Sequence, residues 1–270
     1  SDVYKRQGIF NGVATGFLEL DRLMGAGLRP DEHMVIGGRP GQGKTSLLLA
    51  ILLNMAKAGK TVALFELEMG SMQIILKLIC MEAEIGLQKI STGYINREEW
   101  NKIHVAAGAL SQLDFWIDDS PGLQVVDMRS RIRRIGKQVD AVGIDYMQLV
   151  DVPKVLQGKS RYEQVSHISR SLKTMNKDLR VPIISCAQLS RASSKRKNPK
   201  PQLVDLRDSG QIEQDADIIA LMHREMDGDD ANICDLDIAK HRNGPTGTLQ
   251  LAFMATCTKF CNLWRGDDET

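Results

Sequence analysis

The stretch that most restricts this 270-residue chain is "GRPGQGKT", Gly38 to Thr45. It follows the apolar run "HMVIG" and leads into "SLLLAILLNMA", so a strand precedes the glycines and a helix follows them. That is the context the G-x-x-x-x-G-K-[ST] pattern requires. Glycines let successive backbone N–H groups close around phosphate oxygens, and the start of the helix adds positive potential. In that reading Gly38, Arg39, Pro40, Gly41, Gln42, Gly43, Lys44, Thr45 and Ser46 form a nucleotide cradle. Lys44 reaches the β- and γ-phosphates and the Thr45 hydroxyl ligates Mg²⁺.

A phosphate loop of this kind needs a strand–loop–helix scaffold, and the rest of the chain supplies one. Strand-like runs recur at "HMVIGG", "TVALFEL", "DFWID", "AVGIDYMQLV", "VPIISCAQ" and "DIIALMH", mostly separated by helical patterns. Asn96 with Glu99 three residues on predicts a capping box opening one helix. Alternation of this kind implies an α/β fold: a mostly parallel sheet flanked by helices on both faces. From Asp235 onward strands are joined by short turns, which predicts antiparallel strands added at the C-terminal edge. The breaker-rich, basic stretch Arg191–Pro201 reads as a loop, and Asp151–Ser160 as a second soft segment.

Composition narrows the function classes. A net charge of +1 gives no global sign of a nucleic-acid partner, so such binding must come from local patches. Five cysteines without framework spacing fit a reduced, cytoplasmic protein, and no Cys/His set completes a zinc site. The longest apolar run is too short to cross a bilayer, and no signal peptide is visible, so no membrane partner is expected. The basic run Arg129–Lys137 reads as a solvated helix face. "SDVYKRQ", Ser1 to Gln7, reads as a non-native scar, because one permitted codon choice for it spells a transposon-end tag.

Further acids complete the chemistry. Asp145 closes the apolar run "AVGID", where a carboxylate needs a partner, and a Mg²⁺ beside the phosphate loop is one. Glu66 and Glu68 in "FELEM" both qualify to handle the attacking water; they share a strand parity, so alternation leaves the choice open. Gln188 ends the strand "VPIISCAQ", where it could meet a γ-phosphate; from spacing alone a plain polar strand end is an equally good reading. Lys240 and Arg242 in "DIAKHRNGPTG" are two apart on a strand and leave the same face.

Six ordered segments, "GGRPGQGKTS", "FELEM", "GIDYMQLV", "SRSLKTMNKDLRVPIISCAQLSR", "LVDLRDSGQIEQDADII" and "IAKHRNGPTGT", make the chain resemble the C-terminal motor domain of the DnaB family. These are replicative hexameric DNA helicases of bacteria and phages, built on a RecA-like core. The resemblance runs from about Thr15 to Leu263. It implies a remnant of linker over residues 1–14, a motor domain over 15–264 and a tail over 265–270. It assigns Glu68 as the catalytic glutamate, Gln188 as the γ-phosphate sensor, and Thr45 with Asp145 as the Mg²⁺ ligands. Lys240 and Arg242 become the pair that enters a neighbouring subunit's ATP site. It also implies that Arg207, Asp208 and Gly210 grip single-stranded DNA, that translocation runs 5′ to 3′, and that the full-length chain forms a hexameric ring. Primase and a helicase loader would engage parts lying outside this chain, which alone would be monomeric and feebly active. The sequence departs from the family pattern at Asp208, usually Glu, and at His241, usually Gln. His241 should face away from the two basic residues. Rival readings are another RecA-like ATPase, of recombinase or repair or clock type, and a nucleotide-gated DNA-binding module without turnover.

Overall fold

A computed structural model describes residues 12–189, 200–225 and 229–263; the Ser1–Gln7 reading and most of the basic 191–201 stretch lie outside them. In chain order the elements are α1 (Leu18–Leu23), β1 (His33–Gly38), α2 (Lys44–Lys57), β2 (Val62–Glu66), α3 (Ser71–Ala83), α4 (Leu87–Thr92), α5 (Arg97–Ser111), β3 (Phe115–Asp118), α6 (Val125–Arg134), β4 (Ala141–Asp145), α7 (Arg161–Leu179), β5 (Ile183–Gln188), α8 (Gly210–Asp215), β6 (Ile218–Arg224), β7 (Ile233–His241), β8 (Gly247–Met254) and β9 (Lys259–Asn262). A 3₁₀ segment, Leu203–Ser209, leads into α8.

The nine strands form one sheet in the order β3-β2-β4-β5-β1-β6-β7-β8-β9. The first six are parallel to one another, and β7, β8 and β9 add on antiparallel, as the sequence pattern predicts. β1, β2 and β4 are buried along their whole length. Runs of Val, Ile and Leu without alternation are what a sheet covered on both faces demands. One apolar layer packs α1, α2 and α3 on one face; a second packs α6 and α7 on the other.

Helix starts follow local chemistry. The Asn96 side chain accepts from the Glu99 amide at 2.8 Å and the Glu99 carboxylate accepts from the Asn96 amide at 3.1 Å, the predicted reciprocal cap. The soft segment 151–160 holds a short 3₁₀ turn, Lys154–Leu156, and ends at Ser160, which caps α7 with Glu163 in the same way. α2 is apolar nearly all round and buried from Ser46 to Leu53, because the sheet, α1, α3 and the Phe260 ring of β9 all pack in its apolar layer. This burial fixes the helix that carries the phosphate loop. Val13 pairs with Leu28 through two backbone hydrogen bonds and joins the core. Among the described residues no helix is long and apolar enough to cross a membrane.

Candidate active site

Parallel strands end on one side of the sheet, and the crevice outside their carboxyl ends is where ligands enter such folds. Here it is a cleft of about 530 Å³ lined by Pro40, Gly41, Gly43, Lys44, Thr45 and Ser46, with Glu68, Asp145 and Gln188 from neighbouring strand ends. Gly41 and Gly43 stand at φ 79° and 96°, backbone states that disfavour side chains. A Cβ on Gly43 would also sit 3.1 Å from the Phe260 ring. Lys44 Nζ donates to the Arg39 carbonyl at 3.1 Å, and burial pulls its pKa down while Asp145 and Glu68 hold it up.

Three residues of the predicted cradle stand outside the cleft lining. Gly38 lies under the Lys44 stem, and Arg39 contributes its carbonyl to Lys44. The Gln42 amide is engaged by β6, donating to the Arg224 carbonyl at 3.1 Å and accepting from the Arg224 amide. Gln42 thus fastens the loop to the sheet.

The two glutamates part company because β2 ends at Glu66. Parity applies only within a strand. Glu68 lies beyond it, exposed and lining the cleft. Glu66 is 1% exposed and in register with Asp145. Its Oε1 accepts from the Glu68 and Met69 amides at 3.2 and 3.1 Å, while its Oε2 is buried without a partner. Burial, with the Asp145 charge behind it, pushes the Glu66 carboxyl up to about 8.

Asp145 is 2% exposed, and its Oδ2 is likewise buried without a hydrogen bond. Burial raises its carboxyl; hydrogen bonds from the Thr45 hydroxyl and Cys186 thiol and the charge of Lys44 pull it back. An orphaned carboxylate oxygen beside a hydroxyl, at a loop shaped for phosphate, is a hard oxygen donor set that fits Mg²⁺. Among the described residues no group of three or more His, Cys, Asp or Glu stands close enough to hold a metal unaided. Such an ion would therefore draw its remaining ligands from phosphate and water.

Gln188 is exposed at the end of β5 and lines the cleft, its backbone held by Gln148, which donates to the Gln188 carbonyl at 3.2 Å. Sequence reasoning missed Tyr146, Lys77, Arg224 and Phe253, which line the same cleft. Arg224 lies 4.3 Å from the Phe253 ring centroid. Its signal was a charge closing the apolar run of β6, one residue past the quoted "DIIALMH".

Lys240 and Arg242 lie elsewhere. β7 runs against β6, placing His241 opposite Ile218, which pairs with Met34 near the start of β1. The phosphate loop leaves the other end of β1, four residues on, roughly 13 Å at about 3.3 Å per residue. The pair therefore occupies the far edge of the sheet from the chain's own cleft. A register shift beside Ala239 precedes it. Both cations converge on the end of α8: Lys240 Nζ donates to the Glu213 and Ala216 carbonyls, Arg242 to the Gln214 carbonyl at 2.8 Å and Asp217 at 3.0 Å. His241 turns inward, its Nδ1 3.1 Å from the Pro245 carbonyl. Arg207 and Asp208 belong to the 3₁₀ backbone before α8, and their side chains lie outside the described residues. Gly210 opens α8 with open space where a Cβ would project.

The model of the DnaB-like helicase C-terminal domain matches residues 12–262. The chain is 42% identical to the replicative DNA helicase DnaB of Geobacillus stearothermophilus, over 99% of this chain and 60% of that protein. It is 41% identical to the replicative DNA helicase DnaC of Bacillus subtilis, with the same coverage. It thus spans about 60% of the length of these relatives. Two solved structures each superpose with a TM-score of 0.90 at 38% identity over 97% of this chain. One is the ATPase domain of G40P, 95% covered, and the other a DnaB-like replicative helicase studied with primase, 67% covered. On the family match, the identity and the shared fold, the chain belongs to the DnaB-like helicase C-terminal domain family.

Proposed function

We propose that this chain is the ATP-hydrolysing motor of a replicative DNA helicase, turning over ATP at the junction between copies and drawing single-stranded DNA through a ring of six, 5′ to 3′. The observation that carries the reading is the distance between the cleft and the Lys240–Arg242 pair. A half-exposed guanidinium on the opposite edge of the sheet cannot serve its own phosphate loop, yet two such chains set edge to cleft would complete each other.

In that arrangement the Gly41–Ser46 backbone and Lys44 cradle the triphosphate. Thr45 and Asp145 would hold Mg²⁺, whose charge would offset the negative charge of the phosphoryl oxygens. Glu68, exposed on the cleft, orients and deprotonates water, and Gln188 reports the γ-phosphate through the strand that carries it. Arg242 of the next copy stabilises the transition state, with Lys240 beside it; such cations contribute about 10³ to 10⁵ in rate. Arg207, Asp208 and Gly210 contact the DNA backbone without reading bases. Primase and a loader act through the longer protein.

Mixing separates this from a module that binds nucleotide without turnover. Lys44→Ala and Arg242→Ala each lower single-strand-stimulated ATPase about 1,000-fold alone, and equimolar mixtures recover part of it, because some junctions pair an intact cradle with an intact arginine. Mixtures as inactive as either parent, in rings confirmed by native mass spectrometry, would place both residues in one site and end the reading.

A further inference from the structure

An arginine that must reach a neighbour's phosphate has to be held outward at one place, against about 2 kcal/mol of side-chain rotamer entropy. Arg242 is held by Asp217. The Arg242 amide donates to the Asp217 carbonyl at 2.8 Å, and its Nη1 donates to Asp217 Oδ1 at 3.0 Å. The other carboxylate oxygen, Oδ2, accepts from the His33 amide at 2.8 Å and from Lys173 of α7. Division of labour follows: one oxygen ties Asp217 into β1 and α7, and the other serves Arg242. The carboxylate is 4% exposed and the guanidinium 48%, so a fixed buried anchor carries a cation whose head faces solvent.

The same cations touch a second element. Arg242 Nη2 and Lys240 Nζ donate to the carbonyls of Glu213, Gln214 and Ala216, the C-terminal end of α8 and the residue after it. Those carbonyls lack helical partners and carry the negative end of the helix dipole. α8 begins at Gly210, the last of the three residues proposed to contact DNA. A cation drawn toward a neighbour's triphosphate must loosen its bonds to α8, and a shift of α8 must move the cation.

We propose that Asp217 is the positioning residue for Arg242, and that through this pair the carbonyl end of α8 is coupled to the neighbour's nucleotide. The inference rests on the reading that Arg242 acts on an adjacent copy.

The experiment is a double-mutant cycle in DNA-stimulated turnover, with amide exchange as a readout independent of catalysis. Arg242→Ala lowers kcat about 1,000-fold, within the range for such cations. Asp217→Asn lowers kcat about 10-fold and leaves KM for ATP within twofold, since the cradle is untouched. The double variant turns over no more slowly than Arg242→Ala, because Asp217 acts only through the arginine. Nucleotide-free exchange over residues 211–216 quickens alike in both single variants. If the double variant falls a further 10-fold, or Asp217→Asn keeps full kcat, or exchange over α8 is unchanged in it, the inference is overturned. Full stimulated kcat in Arg242→Ala would instead overturn the underlying reading, and the inference with it. Should Asp217→Asn melt early for want of a partner to Lys173, the same cycle is run on K173M/D217N, which removes both buried charges together.

Discussion

Asp145 and Asp217 are both aspartates closed off from solvent at opposite edges of one sheet, and they are kept in opposite ways. Asp217 meets an amide, a lysine and an arginine. Asp145 keeps a buried oxygen with no partner and stands beside a second acid, Glu66, in the same condition. An unmet buried polar atom costs about 1–3 kcal/mol, more for a charge, so a fold retains one where a ligand completes it. The contrast separates a site built for something that arrives from a joint that is already made.

Asp145→Asn gives the largest expected effect. Turnover falls about 10³-fold, the upper end for removing one preorganised electrostatic contact. The nucleotide-free protein should melt no earlier than the parent, because burial disfavours the charge being removed. Calorimetry beside an ATPase assay reads both; a variant that loses stability in step with activity would make Asp145 a structural residue.

Asp217→Ala should behave in the reverse order. Removing one partner of a buried pair leaves Lys173, 13% exposed, without its carboxylate, at a cost of about 3 kcal/mol. Urea unfolding of the nucleotide-free chain measures it. A loss below about 1 kcal/mol would show that the lysine escapes to water, leaving the two aspartates less different than they look.

The cleft side was legible in sequence because its requirements are local. Gly41 and Gly43 must adopt positive φ within a few residues of Lys44, and nothing but a strand and a helix can flank them. The sheet's parallel core and antiparallel edge were equally legible, since both follow from hydrophobic period and loop length. What could not be read was anything set by contact across the chain. Gln42 bonds to Arg224, 182 residues away, and Asp217 bonds to the amide of His33, 184 away. The tie between Glu66 and Glu68 failed for a subtler reason: both obey the strand period, and only the point where β2 stops tells them apart. Resemblance chose Glu68 on motif; the fold places it on the cleft and puts Glu66 behind it.

Glu66 gives the smallest predicted effect and the closest test of the comparison, because it is a second unmet acid on the cleft side. Its carboxyl is raised from 4.5 to about 8, so between those values the folded chain holds a proton that the unfolded chain has lost. Excess protons bound in the folded state mean stability falls as pH rises. The sign is therefore fixed: Glu66 costs the fold nothing below about pH 4.5, and the cost grows until about pH 8, where the folded group also ionises. Glu66→Gln keeps an acceptor for the Glu68 and Met69 amides and removes the titration. In metal- and nucleotide-free buffer the variant and parent should melt together at pH 4, with the variant several degrees higher at pH 8. A gap of equal size at both pH values would mean that packing rather than ionisation separates them, and Glu66 would then join Asp217 among the satisfied acids of the fold.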